Sequence, residues 1–195
     1  MNETPPIERH PWQPFVPHNA RLLMLGSFPP PRTRWSMDFY YPNFQNDMWR
    51  IVGLCFFGDK NHFVIDEKKA FDYAKIVTFC TECGLALYDT ATAVKRLKAN
   101  ASDKFLEIVE PTDITALLAH MPHCRDIVVT GEKAAETAAI QLHCTPPAVG
   151  THTICNNCAG HTVRLHRMPS SSRAYPLALD KKTDVYKELF KSIFR

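Results

Sequence analysis

Short apolar runs alternating with helical segments constrain this chain more than any other feature. "RLLML" (Arg21–Leu25), "LALYD" (Leu85–Asp89), "DIVVT" (Asp126–Thr130) and "TVRLHRM" (Thr162–Met168) each read as a strand. Helical segments fall between and after them: about Asp66 to Cys83, stopped by Gly84; a short helix from a Thr112 cap to His120; "EKAAETAAIQLH" after Gly131; and "DKKTDVYKELFKSIF" near the end. Buried strands interleaved with helices imply a largely parallel sheet covered on both faces. The expected fold is α/β, a three-layer α/β/α sandwich around a mainly parallel, about four-stranded sheet. Residues 1–195 read as a single domain with a Pro-rich N-terminal arm over 1–17. No internal repeat and no second core stands out.

Composition narrows the class without deciding it. The 195 residues are 45% apolar, enough for a substantial core. A formal charge of +3 and a pI near 8.5 are compatible with a nucleic-acid partner but do not demand one. The opening "MNETPPIERHPW" lacks an apolar signal core, and no apolar run reaches membrane-spanning length, so a cytoplasmic protein with no membrane partner is expected. Seven cysteines, an odd number, fit reduced thiols better than a disulfide framework.

Three loops carry the chemistry. The first strand runs into "GSFPPPRTRW" and the last into "MPSSSRAYP". Ligands of open parallel sheets bind outside the carboxyl ends of strands, and this fold class brings both loops to that edge. Small residues and prolines there give rigid backbone with free N–H groups, suited to phosphate or ribose, although such loops also simply punctuate strands. The third is "YYPNFQNDMW" (Tyr40–Trp49), with four aromatic rings, three amides and neither helical nor strand period. Trp49 and Met48 are expected to anchor it in the core.

"LGSFPP", "YYPNFQNDMW" and "MPSSSRAY", in that order, resemble the uracil-DNA glycosylase superfamily. The chain is most similar to its hypoxanthine-DNA glycosylase branch and, at greater distance, to mismatch-specific thymine/uracil-DNA glycosylases. "CGLALYDTA" and "VVTGEKAAE" resemble further segments of that branch, so the likeness runs from about Arg21 to Phe194. It implies a uracil-DNA glycosylase-like domain acting on double-stranded DNA with a damaged or mismatched base. The reaction it implies is monofunctional hydrolysis of the N-glycosidic bond of a flipped, deaminated base, hypoxanthine or uracil, by a monomer without a cofactor. A catalytically silent nucleic-acid or nucleotide-binding protein of the same fold is the alternative.

The resemblance also distributes roles. Gly26, Ser27, Phe28 and Tyr41 would bind the base, with Tyr41 stacking on it, worth about 1–3 kcal/mol; otherwise Tyr41 packs the loop to the core. Phe28 stands where many relatives carry an Asp or Asn that positions water, a departure shared with the hypoxanthine branch. That shifts the catalytic role to Asn46, whose amide can accept from water and donate to base or sugar; otherwise Asn46 caps the loop. Asp38 and Asp47 are nearby carboxylates. Pro169, Ser170, Ser171 and Ser172 would hold phosphates, with Arg32 and Arg34 as further contacts. Arg173 or Tyr175 would fill the space left by the flipped base.

Cys80-x-x-Cys83 and Cys155-x-x-Cys158 have metal-site spacing. Cys80 and Cys83, however, fall at a helix end, where thiols serve as apolar fillers, and "CNNCAGH" reads as a hairpin turning at Asn156-Asn157. No metal is expected. His166, near the end of the last strand, is expected to be structural.

Overall fold

The computed structural model describes residues 5–98 and 103–194. Its elements, in chain order, are β1 (Ile7–Arg9), β2 (Leu22–Gly26), α1 (Met48–Phe57), β3 (Val64–Ile65), β4 (Ala70–Phe71), α2 (Tyr73–Cys83), β5 (Leu85–Asp89), β6 (Ala91–Arg96), β7 (Leu106–Pro111), α3 (Ile114–Ala119), β8 (Asp126–Thr130), α4 (Glu132–Gln141), β9 (Thr151–Cys158), β10 (His161–Met168) and α5 (Leu179–Ile193).

The mixed α/β fold is built on one sheet of order β5-β2-β8-β10-β9. β5, β2, β8 and β10 run parallel, and β9 pairs antiparallel with β10. Every residue of β2, β5 and β8 is buried, which is why each reads as an unbroken apolar run. The sheet has five strands rather than about four. The fifth, β9, escaped the reading because "THTICNNC" mixes polar and apolar residues on an edge. α1 packs on α5, α3 on α4, α2 against β5 and α4 against β8.

Local chemistry sets several boundaries. α2 begins at Tyr73, not near Asp66, because Asp72 accepts from the Lys75 N–H at 3.1 Å and caps it. Residues Asp66–Lys68 form a 3₁₀ turn instead, followed by the short β3–β4 pair. The cap of α3 is Asp113, accepting from Ala116 N–H at 2.8 Å, rather than Thr112. The hairpin turns at Ala159-Gly160, both at positive φ (50° and 82°), while Asn156 and Asn157 lie within β9.

A second sheet, order β1-β6-β7 and antiparallel, was not anticipated. Ala91, Val94 and Leu106 form a small apolar cluster there, with Phe28 and Ile108 against it, so there is a minor second core. The Pro-rich arm therefore contributes structure: β1 pairs with β6, and Phe15 bridges Leu87 on the outer side of β5. That contact covers part of an otherwise open sheet edge.

Candidate nucleic-acid interface and active site

The carboxyl ends of β2, β5, β8 and β10 deliver Gly26, Asp89, Thr130 and Met168 to one rim. There they border an open cleft of about 1060 Å³. Of the residues singled out for base, catalysis or DNA, all except Pro169 and Arg32 line it. Pro169 is buried beneath, its carbonyl accepting from the Tyr186 hydroxyl at 2.8 Å. Arg34 reaches the cleft; Arg32 instead lies over the Trp35 ring, 5.2 Å from its centroid.

The aromatic loop and the serine loop are joined by main chain. Asn46 and Ser172 form an antiparallel bridge, and the Asp47 N–H donates to the Ser171 carbonyl at 2.9 Å. Asn46 Oδ1 accepts from Met48 N–H at 2.9 Å and so helps start α1. This satisfies one of the orphan donors of a helix N-terminus. The structure shows no protein partner for the Asn46 side-chain N–H₂ among the described residues.

Tyr41 stands on the wall with φ 53°, a strained backbone for a tyrosine, and its hydroxyl lies 3.3 Å from Thr130 Oγ1. Burial pushes its phenol well above the ordinary range. The neighbouring aromatics are structural: Tyr40 donates to the Gln13 carbonyl at 2.7 Å, and the Trp49 indole donates to the Tyr40 carbonyl at 3.0 Å. Met48 and Trp49 are fully buried. Asp38 does not line the cleft; it accepts from the indole of Trp12, which does, at 2.8 Å.

Ser171 is buried, whereas Ser170 and Ser172 are half-buried. Ser170 Oγ accepts from Ser172 N–H and Ser172 Oγ from Ala174 N–H, each at 3.2 Å, so these hydroxyls hold their own turn. Arg173 is fixed by Asp47, whereas Tyr175 makes no side-chain hydrogen bond among the described residues.

Three groups on the inner wall were not foreseen. Asp89 Oδ2 accepts from His10 Nε2 at 2.9 Å, linking the N-terminal arm to the end of β5. A Cβ at position 26 would collide with Asp89 Oδ1, so glycine is required there by close approach. Asp103 Oδ2 accepts from the buried Ser27 hydroxyl at 2.9 Å. Burial, reinforced by the nearby Asp89, lifts Asp103 above the usual carboxylate range against the pull of Ser27, Arg96 and Lys133. Asp89 lay within a segment that carried the resemblance, so a signal for it existed. His10 and Asp103 had none, because their partners are 79 and 76 residues away.

His166 Nε2 meets Asp126 at 2.7 Å, as does Arg164, at the opposite end of β8 from the cleft; this pairing is structural. The two Cys-x-x-Cys pairs sit at opposite edges of the sheet, on α2 beside β5 and on β9, so they form no joint site.

No protein-family model matches this chain, and no curated protein matches it. A solution NMR structure of a candidate uracil DNA glycosylase from Methanosarcina acetivorans is similar, with a TM-score of 0.60 at 22% identity. The match covers 94% of this chain and 98% of that one, and it shows a shared fold.

Proposed function

We propose that this chain, sharing its fold with that archaeal protein, is a monofunctional DNA glycosylase of the uracil-DNA glycosylase superfamily. Its substrate is a deaminated base, hypoxanthine or uracil, flipped from duplex DNA into the cleft of a three-layer α/β/α domain. One observation carries the reading. The glycine-proline loop, the aromatic loop and the serine loop, distant in sequence, surround one cleft at the carboxyl edge of the sheet, and the latter two are tied by the Asn46–Ser172 bridge.

The chemistry follows from that arrangement. A base within a duplex is unreachable, so it must leave the stack, and a flat wall offsets part of the unstacking cost. Tyr41 supplies such a wall, held by Trp49 edge-on at 6.2 Å between ring centroids. Hydrolysis breaks the bond between C1′ and the base nitrogen, leaving its electron pair on the base while water oxygen bonds to C1′. Positive charge on the sugar and negative charge on the base must both be stabilised in the transition state. Asn46 offers its free N–H₂ edge to water or sugar without acting as a base, so its part is positioning. Asp89 offers oxygen to the cationic side. Asp103, lifted above the usual carboxylate range mainly by burial, lines the same cleft.

Phe28 favours a second reading. Its ring packs edge-on to His10 at 5.5 Å and against the small second core, so it offers no polar group to position a water. A protein that grips flipped bases without hydrolysing them would look the same. Duplexes carrying uracil, hypoxanthine or xanthine, incubated with the protein and then cleaved in alkali at abasic sites, separate the two. Strand scission at one lesion supports the glycosylase; tight lesion binding with no scission supports the silent binder.

A further inference from the structure

The cysteines of the β9–β10 hairpin lie outside the cleft and have no part in the chemistry above. In a regular strand, Cys155 and Cys158 would face opposite ways, since they are three residues apart. The register shift between His161 and Val163 sets Asn156 and Asn157 against Thr162 alone, and this bulge turns both thiols inward. Their residues are 1% and 4% exposed. His161 is the direct cross-strand partner of Cys158 and shares its face. The His161 Nε2 atom is buried without a hydrogen-bond partner, a costly state for an imidazole nitrogen. Cys144, arriving from the end of α4, places its sulfur 2.7 Å from that of Cys155, and its electrostatic influence also reaches the Cys158 thiol. The turn Ala159-Gly160 keeps the tip of the hairpin small and tight.

We propose that Cys144, Cys155, Cys158 and His161 bind one zinc ion that clamps the β9–β10 hairpin to the end of α4. Three thiolates and an imidazole are a soft, four-donor set suited to tetrahedral Zn²⁺. Among the described residues no group of three or more His, Cys, Asp or Glu side chains is arranged to hold an ion as it stands. The four donors are neighbours that the metal draws in, as structural zinc sites couple binding to local ordering. On binding, each thiol loses its proton to solvent and each sulfur gives an electron pair to the ion; no oxidation occurs. The inference is independent of the glycosylase reading. Its structural consequence is that β10, which leads directly into the 169–173 loop, is braced from its outer side.

The test uses the full chain, purified under reducing conditions from zinc-supplemented culture and analysed for bound metal. One zinc per chain is expected, retained in Cys80→Ser and lost in Cys155→Ser and Cys158→Ser. Because those variants can lose structure for other reasons, the reduced, metal-stripped wild type is also titrated with Co²⁺. Intense thiolate-to-cobalt absorption that saturates at one equivalent, with altered d–d bands in His161→Ala, supports the site. Three results overturn it: a folded, reduced chain that takes up neither metal; loss of zinc on Cys80→Ser or Cys83→Ser; or a metal-free chain that, without reductant, shows two fewer alkylated thiols than its seven cysteines, marking a Cys144–Cys155 disulfide.

Discussion

Asp47 and Arg173 meet across the cleft rim, with Asp47 Oδ1 accepting from Arg173 Nε at 2.9 Å. The other oxygen lies 3.8 Å from Lys182 Nζ, whose side chain is only 1% exposed and also donates to the Ser172 carbonyl at 2.7 Å. Arg173 is half-exposed, so its pairing adds little to stability; the buried lysine is the heavier partner. Asp47→Asn leaves that ammonium without a counter-charge and should cost about 3 kcal/mol in urea denaturation, on the scale of a broken buried pair. A loss below about 0.5 kcal/mol would mean that the Ser172 carbonyl alone satisfies Lys182.

The same contact bears on which residue fills the vacated stack. Arg173 must leave Asp47 to do so, whereas Tyr175 has no side-chain hydrogen bond to break among the described residues. Tyr175→Ala should therefore lose more cleavage than Arg173→Ala on a well-paired lesion, and least on single-stranded DNA, where no hole needs filling. Equal rates for both variants on paired, mispaired and single-stranded substrates would remove the wedge from this loop.

Asn46 has two separable groups. Its oxygen accepts from the Met48 N–H at the start of α1, and its N–H₂ is the group that the proposed reaction uses. Asn46→Asp keeps the acceptor but removes the donor, so folding should hold while single-turnover cleavage falls tenfold to a hundredfold, roughly one lost transition-state hydrogen bond. Asn46→Ala should add a stability loss of about 1 kcal/mol from the missing hydrogen bond to the Met48 N–H. Wild-type cleavage by the Asp variant would transfer the catalytic part to Asp89 or Asp103.

For Tyr41 the ring and the hydroxyl can be told apart. The hydroxyl's long contact to Thr130 makes Tyr41→Phe nearly neutral, within about 1 kcal/mol. Tyr41→Leu keeps apolar volume but removes the flat face, so lesion binding should weaken by about 1–3 kcal/mol. Matching losses in both variants would show that the hydroxyl matters, and stacking would no longer explain the residue.

Asp103 gives a pH signature. Its folded pKa is raised, so between the ordinary carboxylate value and the raised one the folded chain holds a proton that the unfolded chain has released. The stability it contributes is complete below the ordinary value and is lost as pH rises through the folded one. Asp103→Asn has no such loss and should gain on wild type as pH climbs from about 4 towards neutrality in thermal melts. A difference that stays flat across that range would place Asp103 at an ordinary carboxylate pKa.

Much of the scaffold was legible because buried parallel strands leave continuous apolar runs. β5 and β8 were bounded correctly at both ends, and β2 within one residue. α1 was not, since its residues from Met48 to Gly53 are all buried and a helix enclosed on every side shows no amphipathic period. The β1-β6-β7 sheet also went unread: β1 joins β6 across as many as 88 residues, as between Ile7 and Lys95, and no local pattern records that pairing. The site divides the same way. Loops of unusual composition announced Tyr41, Asn46 and the serines, whereas the His10–Asp89 and Ser27–Asp103 pairs exist only through folding.

The seam between Asn46 and Ser172 is made of peptide groups, as is the Asp47–Ser171 hydrogen bond beside it. Peptide groups are common to nearly every residue, so these two contacts themselves ask nothing of the side chains that flank them. The side chains on either hand are tied elsewhere, Asn46 to Met48 and Asp47 to Arg173, so the seam can persist when a substitution loosens one of those ties.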